Sequence, residues 1–560
     1  MDGLRSSLAA LILGALLAAL VVASEWGGLG SQLLGIMNDD GLGAIHLHHD
    51  FHDAVLDGRW SLVDPDQLVP AGSDRWLREG GNSLEMLVSG LCRLVLPWPL
   101  WLNVAGLAWI PLNLLAFLPL GRHLWGRWGP ALAAGAAWAV LPPVISQLEA
   151  LRLTQMVLVG VPIAVLGFLL IGEGRRRGWV ICGVGMALTG LGYWFYGLFM
   201  AMLAPVFAAW AWRRRGPDAL LDTGKAAAVA LILCLPALSR PVWVRLSGEW
   251  TPGSPASAEF ASPVFADALQ LAGPQSAQVA GWCPWVFLLG FAATAVWGRK
   301  RLLFGALAAL CVLFAMGPAQ QVGEWLWLLP YYPIWRWVPG VDRLLHPERW
   351  IHVGGLFLVL LAADGLARKQ ALATWLLPLG VMAQLGLTKL PLGSWDPTPP
   401  RVWQEVASLE GSGVVVVPLL ESQLTCAWQP FHGKRLLGGM GENQPWFRPP
   451  DYEAFIEGNG LLMQLWLLGR GEDGPVSLHQ QDLDGLRAVG LDLVVLDAGA
   501  WARAPLAGTV DARARLVESF GEPLYGDVTG AVWRLPESGE PTPAPSFGPL
   551  RSEGPAGAPP

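Results

Sequence analysis

Seven aspartates and four histidines crowd into the stretch from Asn38 to Pro70, NDDGLGAIHLHHDFHDAVLDGRWSLVDPDQLVP. They are Asp39, Asp40, Asp50, Asp53, Asp57, Asp64 and Asp66, with His46, His48, His49 and His52. The chain has only nine histidines, so four within seven positions is a concentration. Carboxylates and imidazoles move protons and hold cations. Asp39 or Asp40, in an Asn-Asp-Asp turn just after the first hydrophobic segment, could act as general base towards an acceptor hydroxyl. His48 and His52 are four apart, as are His49 and Asp53, a spacing that offers ligand pairs to a divalent metal ion. No HExxH completes that set, and the two pairs lie on neighbouring helix faces. A solvated surface helix accounts for the same residues.

Two further loops carry candidate chemistry. Gln147 to Thr154 (QLEALRLT) sets Glu149 and Arg152 between two hydrophobic segments, either as a self-paired loop or as a second acid facing the first. The segment PYYPIWRWVPGVDRLLHPERW holds Arg336, Arg343, His346 and Arg349 among Trp335, Trp337 and Trp350. Tryptophan and arginine at a membrane interface form a belt and snorkelling anchors. A guanidinium fork also suits phosphate, so Arg343, Arg349 and His346 form a candidate lipid-phosphate site. No nucleophile elbow, Walker A loop or dinucleotide fingerprint is present. The six cysteines are scattered and make neither a disulfide framework nor a CxxC pair.

The elements that must position these residues are mostly hydrophobic. Of 560 residues 53% are hydrophobic and only 14% charged, against about 25% charged in soluble domains. The net charge of −7 comes without any basic block of the nucleic-acid-binding kind. Eleven segments read as spans of a bilayer about 30 Å thick, near 6–24, 98–120, 129–147, 155–172, 179–192, 197–212, 226–244, 281–298, 302–317, 350–367 and 371–388. The first is expected to remain as a span rather than to be cleaved as a signal peptide. Arg122 and Arg127, Arg175 to Arg177, Arg213 to Arg215, Arg299 to Arg301, and Arg368-Lys369 fall in alternate short loops. That asymmetry predicts a cytoplasmic N-terminus, with the acidic stretch and the C-terminal region outside. Between Gly43 and Leu56, His46, Asp50, Asp53 and Asp57 share one helical face, which predicts an acidic helix at the membrane surface. Val414 to Pro418, Leu491 to Leu496 and Ala531 to Leu535 read as strands. The predicted organisation is a transmembrane domain over 1–388 with an acidic outer loop over 25–97, a small extracytoplasmic α/β domain over 389–536, and a disordered Pro/Gly-rich tail over 537–560.

Several of these features together resemble a known group. The acid turn Asp39-Asp40, the histidine-bearing helix, Gly58-Arg59-Trp60 and Asp64-Pro65 follow one another as in polytopic bacterial proteins of the GT-C glycosyltransferase superfamily, especially YfhO-like membrane proteins. The arginine-rich segment Val341 to Trp350 is similar to one those proteins carry before a late span. Trp428 to Leu436 (WQPFHGKRL) resembles their Q-x-x-H-G-K-P-L segment, and Leu486 to Leu496 their C-terminal strand. The resemblance implies a GT-C-like helical membrane fold in the bacterial inner membrane. It implies a polyprenyl-phosphate-linked sugar as donor, inverting transfer, and a glycan, lipid or protein acceptor. The catalytic carboxylate would be Asp39 or Asp40, with Glu149 at the second-loop acid position and Arg343 and Arg349 on the donor phosphate. The chain departs from the group in having Asn38-Asp39-Asp40 where better-known members carry an Asp-Glu pair. A flippase or assembly partner binding the same lipid-linked glycan without reacting is the alternative. Spans almost devoid of charge favour the enzyme, because charges inside a membrane mark transport pathways.

Overall fold

The computed structural model describes residues 2–37, 39–58, 63–76, 82–247, 300–322, 325–338, 341, 347–369, 371–387, 392–419, 425–440, 442, 448–472, 474–503 and 511–536. They divide into two compact units. The first comprises Met1–Ile36, Gly80–Ser239 and Ser254–Asp396, the second Met37–Glu79, Arg240–Gly253 and Pro397–Pro560.

The first unit is a bundle of apolar helices, and the chain is a multi-span membrane protein. Among the described residues, Gly3–Val21, Leu100–Trp125, Leu153–Gly172, Trp194–Arg215, Pro217–Arg240 and Pro347–Ala367 are long and apolar enough to cross a bilayer. Trp128–Ala139 and Pro142–Glu149 make a seventh if they act as one span bent by 43°. Gly178–Gly192, Leu302–Ala315 and Ala373–Ala383 are apolar but shorter. Among the described residues, six of the eleven expected spans are thus helices of full spanning length, seven if the bent pair is one span. Ten of the eleven segments fall on these helices, and the eleventh, 281–298, lies outside the described residues.

Small residues let the helices Gly160–Gly172 and Gly178–Gly192 touch backbone to backbone. A Cβ on Gly160 would lie 2.3 Å from Thr189 N, and one on Gly167 would lie 2.2 Å from Cys182 N. Such contacts drive helix association where lipid removes the hydrophobic incentive. Two buried asparagines satisfy backbone groups at helix breaks, as a membrane interior requires. Asn103 donates to Leu29 O and Gln32 O and accepts from Leu34 N at 2.9 Å. Asn113 donates to Met156 O and accepts from Leu158 N. The strand Leu33–Leu34, shaped by Asn103, pairs antiparallel with Ser394–Trp395.

The second unit is built on a five-stranded mixed sheet. Its strands run, in order across the sheet, Tyr525–Asp527, Gly530–Arg534, Leu493–Asp497, Gly413–Val417 and Arg435–Leu436. Gly413–Val417 pairs parallel with both its neighbours and is buried at every position. That is why it reads as an unbroken valine run rather than an alternation. Val415, Val417, Val494, Leu496 and Trp533 pack with Leu461, Leu465, Leu483, Leu486 and Leu516 from flanking helices in one core. At the Arg435–Leu436 edge, part of the first long loop continues the hydrogen bonding. Leu436 N donates to Asp66 O at 2.8 Å, Val69 N to Leu436 O, and Leu68 N to Gly438 O.

Candidate functional site

Within the second unit, the acidic helix runs from Asp39 to Leu56. Asp39 and Asp40 form its first turn, where the exposed N–H groups favour negative charge; their side chains lie outside the described residues, as does Asn38. Leu42, Ile45, His46, His48, His52 and Ala54 are buried. The helix is packed into its unit rather than lying as a solvated surface element, because its apolar face and most of its histidines have protein to cover them.

Of the expected polar face, His46 and Asp50 are brought to one point with Asp64, their ligand atoms within 4.8 Å of one another. Arg75 occupies that point. Its Nε and Nη2 donate to the two carboxylate oxygens of Asp50, both at 2.6 Å, and Nη2 stands 3.5 Å from Asp64 Oδ1. The ligand set has the composition of a divalent-cation site, yet a guanidinium and a cation would compete for the same oxygens. As built, the cluster fits the guanidinium. His48 and His52, the pair expected to bind metal, are buried with their rings 5.8 Å apart, outside this grouping. Asp57 is exposed and Asp53 half-buried.

The segment Trp428 to Leu436 holds this helix in place. Gln67 Nε2 donates to His46 Nε2 at 2.8 Å and to Gln429 Oε1 at 3.0 Å, while Gln67 Oε1 accepts from Met440 N. Gln429 Nε2 donates to Asp66 O and to Lys434 O. An amide nitrogen only donates, so His46 Nε2 is the acceptor in this contact. His432 Nδ1 accepts from Lys434 N, its ring stacks on Trp403 at 5.1 Å, and Lys434 Nζ donates to Leu409 O and Gly411 O. Burial, aided by the positive charge of Lys434 and by His46, pushes the His432 imidazole down to about 3.

Within the first unit, Glu149 ends the helix Pro142–Glu149. Its carbonyl accepts from Ile36 N at 2.7 Å, and Gly35 lies so close that a Cβ there would stand 2.3 Å from Glu149 O. Asp39 follows Ile36 by three residues in the chain. The start of the same helix is also tied, since Pro143 O lies 3.0 Å from His352 Nε2, and His352 Nδ1 is 3.1 Å from Arg349 O. Arg349 Nη1 donates to the Tyr193 hydroxyl, and its guanidinium sits 5.7 Å from the centre of the Tyr193 ring. Tyr193 has extended backbone between the helices Gly178–Gly192 and Trp194–Arg215, which turns its ring out of helical register. Among the described residues no carboxylate pairs with Arg349. Arg343 and His346, the other expected phosphate ligands, lie outside the described residues.

Arg75, Gln67, Tyr193 and His352 were not among the expected site residues. Tyr193 had a signal in the polar-aromatic break Tyr193-Trp194-Phe195-Tyr196 between two apolar runs. Arg75 and Gln67 had none beyond proximity to Asp64-Pro65.

No family model matches the chain, and no curated protein matches it. Among solved structures it is similar to ArnT from Cupriavidus metallidurans in the apo state, with 14% identity over 92% of this chain and 97% of that one, at a TM-score of 0.50. It also aligns with the same organism's ArnT bound to undecaprenyl phosphate, with 15% identity over 94% and 98% of the two chains, at a TM-score of 0.47. A third alignment is with the apo oligosaccharyltransferase of Archaeoglobus fulgidus, with 12% identity over 90% and 72%, at a TM-score of 0.44. The likeness to apo ArnT is one of fold alone.

Proposed function

We propose that this GT-C-fold chain moves a sugar from a polyprenyl-phosphate donor to an acceptor outside the bacterial inner membrane, with inversion at the anomeric carbon. The N-terminus is on the cytoplasmic side and the second unit outside. Asp39 or Asp40 takes the proton from an acceptor hydroxyl. The acceptor oxygen bonds to the anomeric carbon as the bond to the phosphate oxygen breaks, and polyprenyl phosphate leaves with the electron pair. Arg349, with Arg343 and His346, neutralises the charge on that phosphate. Glu149 is the second acid. A divalent cation would enter the His46, Asp50 and Asp64 cluster only with Arg75 displaced.

The observation that supports this reading is the state of Arg349. It is an arginine beside a helix start, held by a phenol and stacked on its ring, with no described carboxylate to neutralise it. A positive charge kept oriented and unneutralised suits an anionic ligand.

The test is donor consumption by the full chain in membranes, offered a panel of polyprenyl-phosphate-linked sugars. Arg349→Ala, Asp39→Ala and Asp40→Ala are compared with wild type after detergent extraction and size-exclusion chromatography show them folded. Arg349→Ala and one of the two aspartate variants should lower turnover about 10²–10³-fold. Normal turnover in Arg349→Ala, or in both aspartate variants, would refute the mechanism. A wild type that binds polyprenyl phosphate yet consumes no donor would put the flippase or assembly reading in its place.

A further inference from the structure

His352 is buried within the first unit, in the span Pro347–Ala367, with 4% of its surface exposed. Its two ring nitrogens face two backbone carbonyls. Nδ1 stands 3.1 Å from Arg349 O, and Nε2 stands 3.0 Å from Pro143 O. A carbonyl oxygen only accepts, and a neutral imidazole carries a single N–H. The neutral ring therefore bonds one of these carbonyls and turns a lone pair on the other. The imidazolium, with a proton on each nitrogen, bonds both.

The groups around the ring say when the charged form is reached. Its own turn supplies Arg349 and Glu348, whose charges both reach the ring. The helix Trp194–Arg215 supplies the Tyr196 phenol, with its ring centre 5.7 Å from that of the imidazole and its hydroxyl donating to Gln155 O. The helix Pro142–Glu149 meets the ring through the Pro143 carbonyl. A guanidinium and an imidazolium on one turn compete, because like charges disfavour one another where water is excluded. An anion held by Arg349 ends that competition, at the residue whose own carbonyl faces the ring. Binding of the anion and uptake of a proton are then coupled, each favouring the other by the same factor.

We infer that His352 is a proton-coupled positioning residue: when an anion settles on Arg349, the ring takes up one proton from solvent and donates from both nitrogens, to Arg349 O and to Pro143 O. The added proton joins the turn Pro347–Arg349 to the helix that ends in Glu149, the second candidate acid. His352 acts on the donor only through these two stretches of backbone. The inference rests on the reading of Arg349 as a phosphate ligand.

The test measures the affinity of the full chain in phosphatidylcholine nanodiscs for geranyl phosphate, a water-soluble polyprenyl phosphate, at a series of pH values from about 6 to 8, where histidine titrates. Wild type is compared with His352→Gln and His352→Asn, which keep an N–H donor but take up no proton, and with Arg349→Ala. The ionisation of the phosphate itself is common to all chains and cancels in the ratio of their affinities. Relative to the folded His352 variants, wild type should lose affinity about three- to tenfold per unit rise in pH, the slope set by up to one proton taken up on binding. A ratio constant with pH is what a merely structural histidine would give; it would overturn the inference and leave the Arg349 reading standing. Equal affinity in Arg349→Ala and wild type would overturn both. A second readout needs no substitution at residue 352. Ring-nitrogen spectra of the His346→Gln chain, which lacks the other histidine proposed at the phosphate, should show one more ring protonated at both nitrogens with geranyl phosphate than without. A count that does not rise would equally overturn the inference.

Discussion

Arg75 and Arg349 are both arginines beside candidate chemistry, and they are held in opposite ways. Arg75 is buried and spends its charge on Asp50, through two bonds of 2.6 Å, and on Asp64. Arg349 is half-buried, has a phenol hydroxyl and an aromatic face for company, and meets no described carboxylate. Removing one member of a buried pair strands the other charge, whereas removing a cation that faces only neutral groups strands nothing. The acid-rich helix, which looks the more chemical of the two regions in sequence, is therefore the more structural along its middle. On the proposed mechanism, its reactive part is the first turn.

The contrast is broken most directly at Arg75. Arg75→Ala should destabilise the second unit by about 3–5 kcal/mol, because Asp50 and Asp64 would be left buried without a counter-charge. Urea unfolding followed by a probe in that unit measures it. The same variant removes the competitor for the carboxylates, so the His46, Asp50 and Asp64 set becomes open to a divalent ion, and added Mn²⁺ or Zn²⁺ should restore part of the stability where it does little for wild type. A variant as stable as wild type would mean that the pair contributes nothing and that the two arginines do not differ as argued.

The spans and the three main strands of the sheet were legible because hydrophobic runs and valine-rich strands are local signals. Val414 to Pro418 was expected as a strand, and Gly413–Val417 is one. The seat of the acidic helix was not legible. It depends on Gln67 reaching Gln429, 362 positions away, and on backbone bonds from Asp66, Leu68 and Val69 to a sheet edge, which leave no periodicity. The Q-x-x-H-G-K pattern marked that seat without revealing its role: Gln429 is a bracket, and His432 with Lys434 closes its turn. Of the eleven expected spans, six fall on long apolar helices and one on a bent pair among the described residues, three on shorter apolar helices, and one lies outside the described residues.

His432 sharpens the structural half of the contrast. It is buried and neutral, with its ionisation held down to about 3 against an ordinary value of 6.5. The unfolded chain takes up a proton below about pH 6.5 while the folded chain does not until about 3. Its contribution is complete above pH 6.5 and is lost as the pH falls towards 3, with a slope of at most about 1.4 kcal/mol per pH unit. Chemical denaturation of wild type at a series of pH values across that window should show the loss, and His432→Gln should flatten it. An unchanged slope in the variant would show that other groups set the acid sensitivity of this unit.

The smallest expected effect lies at Tyr193, and it tests whether Arg349 needs to be aimed. The hydroxyl accepts one guanidinium N–H, while the ring supplies a cation–π contact that Phe would keep. Tyr193→Phe removes one hydrogen bond from a charged donor at a half-buried site, an interaction worth about 1–2 kcal/mol. If Arg349 grips the donor phosphate equally before and during transfer, the loss should appear as a KM for the lipid-linked donor raised about five- to thirty-fold with kcat unchanged. A fall in kcat at constant KM would instead place the Arg349 contact in the transition state, where the leaving phosphate gains charge. An unchanged KM and kcat would mean that the ring alone positions the guanidinium. The comparison with Arg75 would then turn on stacking against pairing, and not on one hydrogen bond against three.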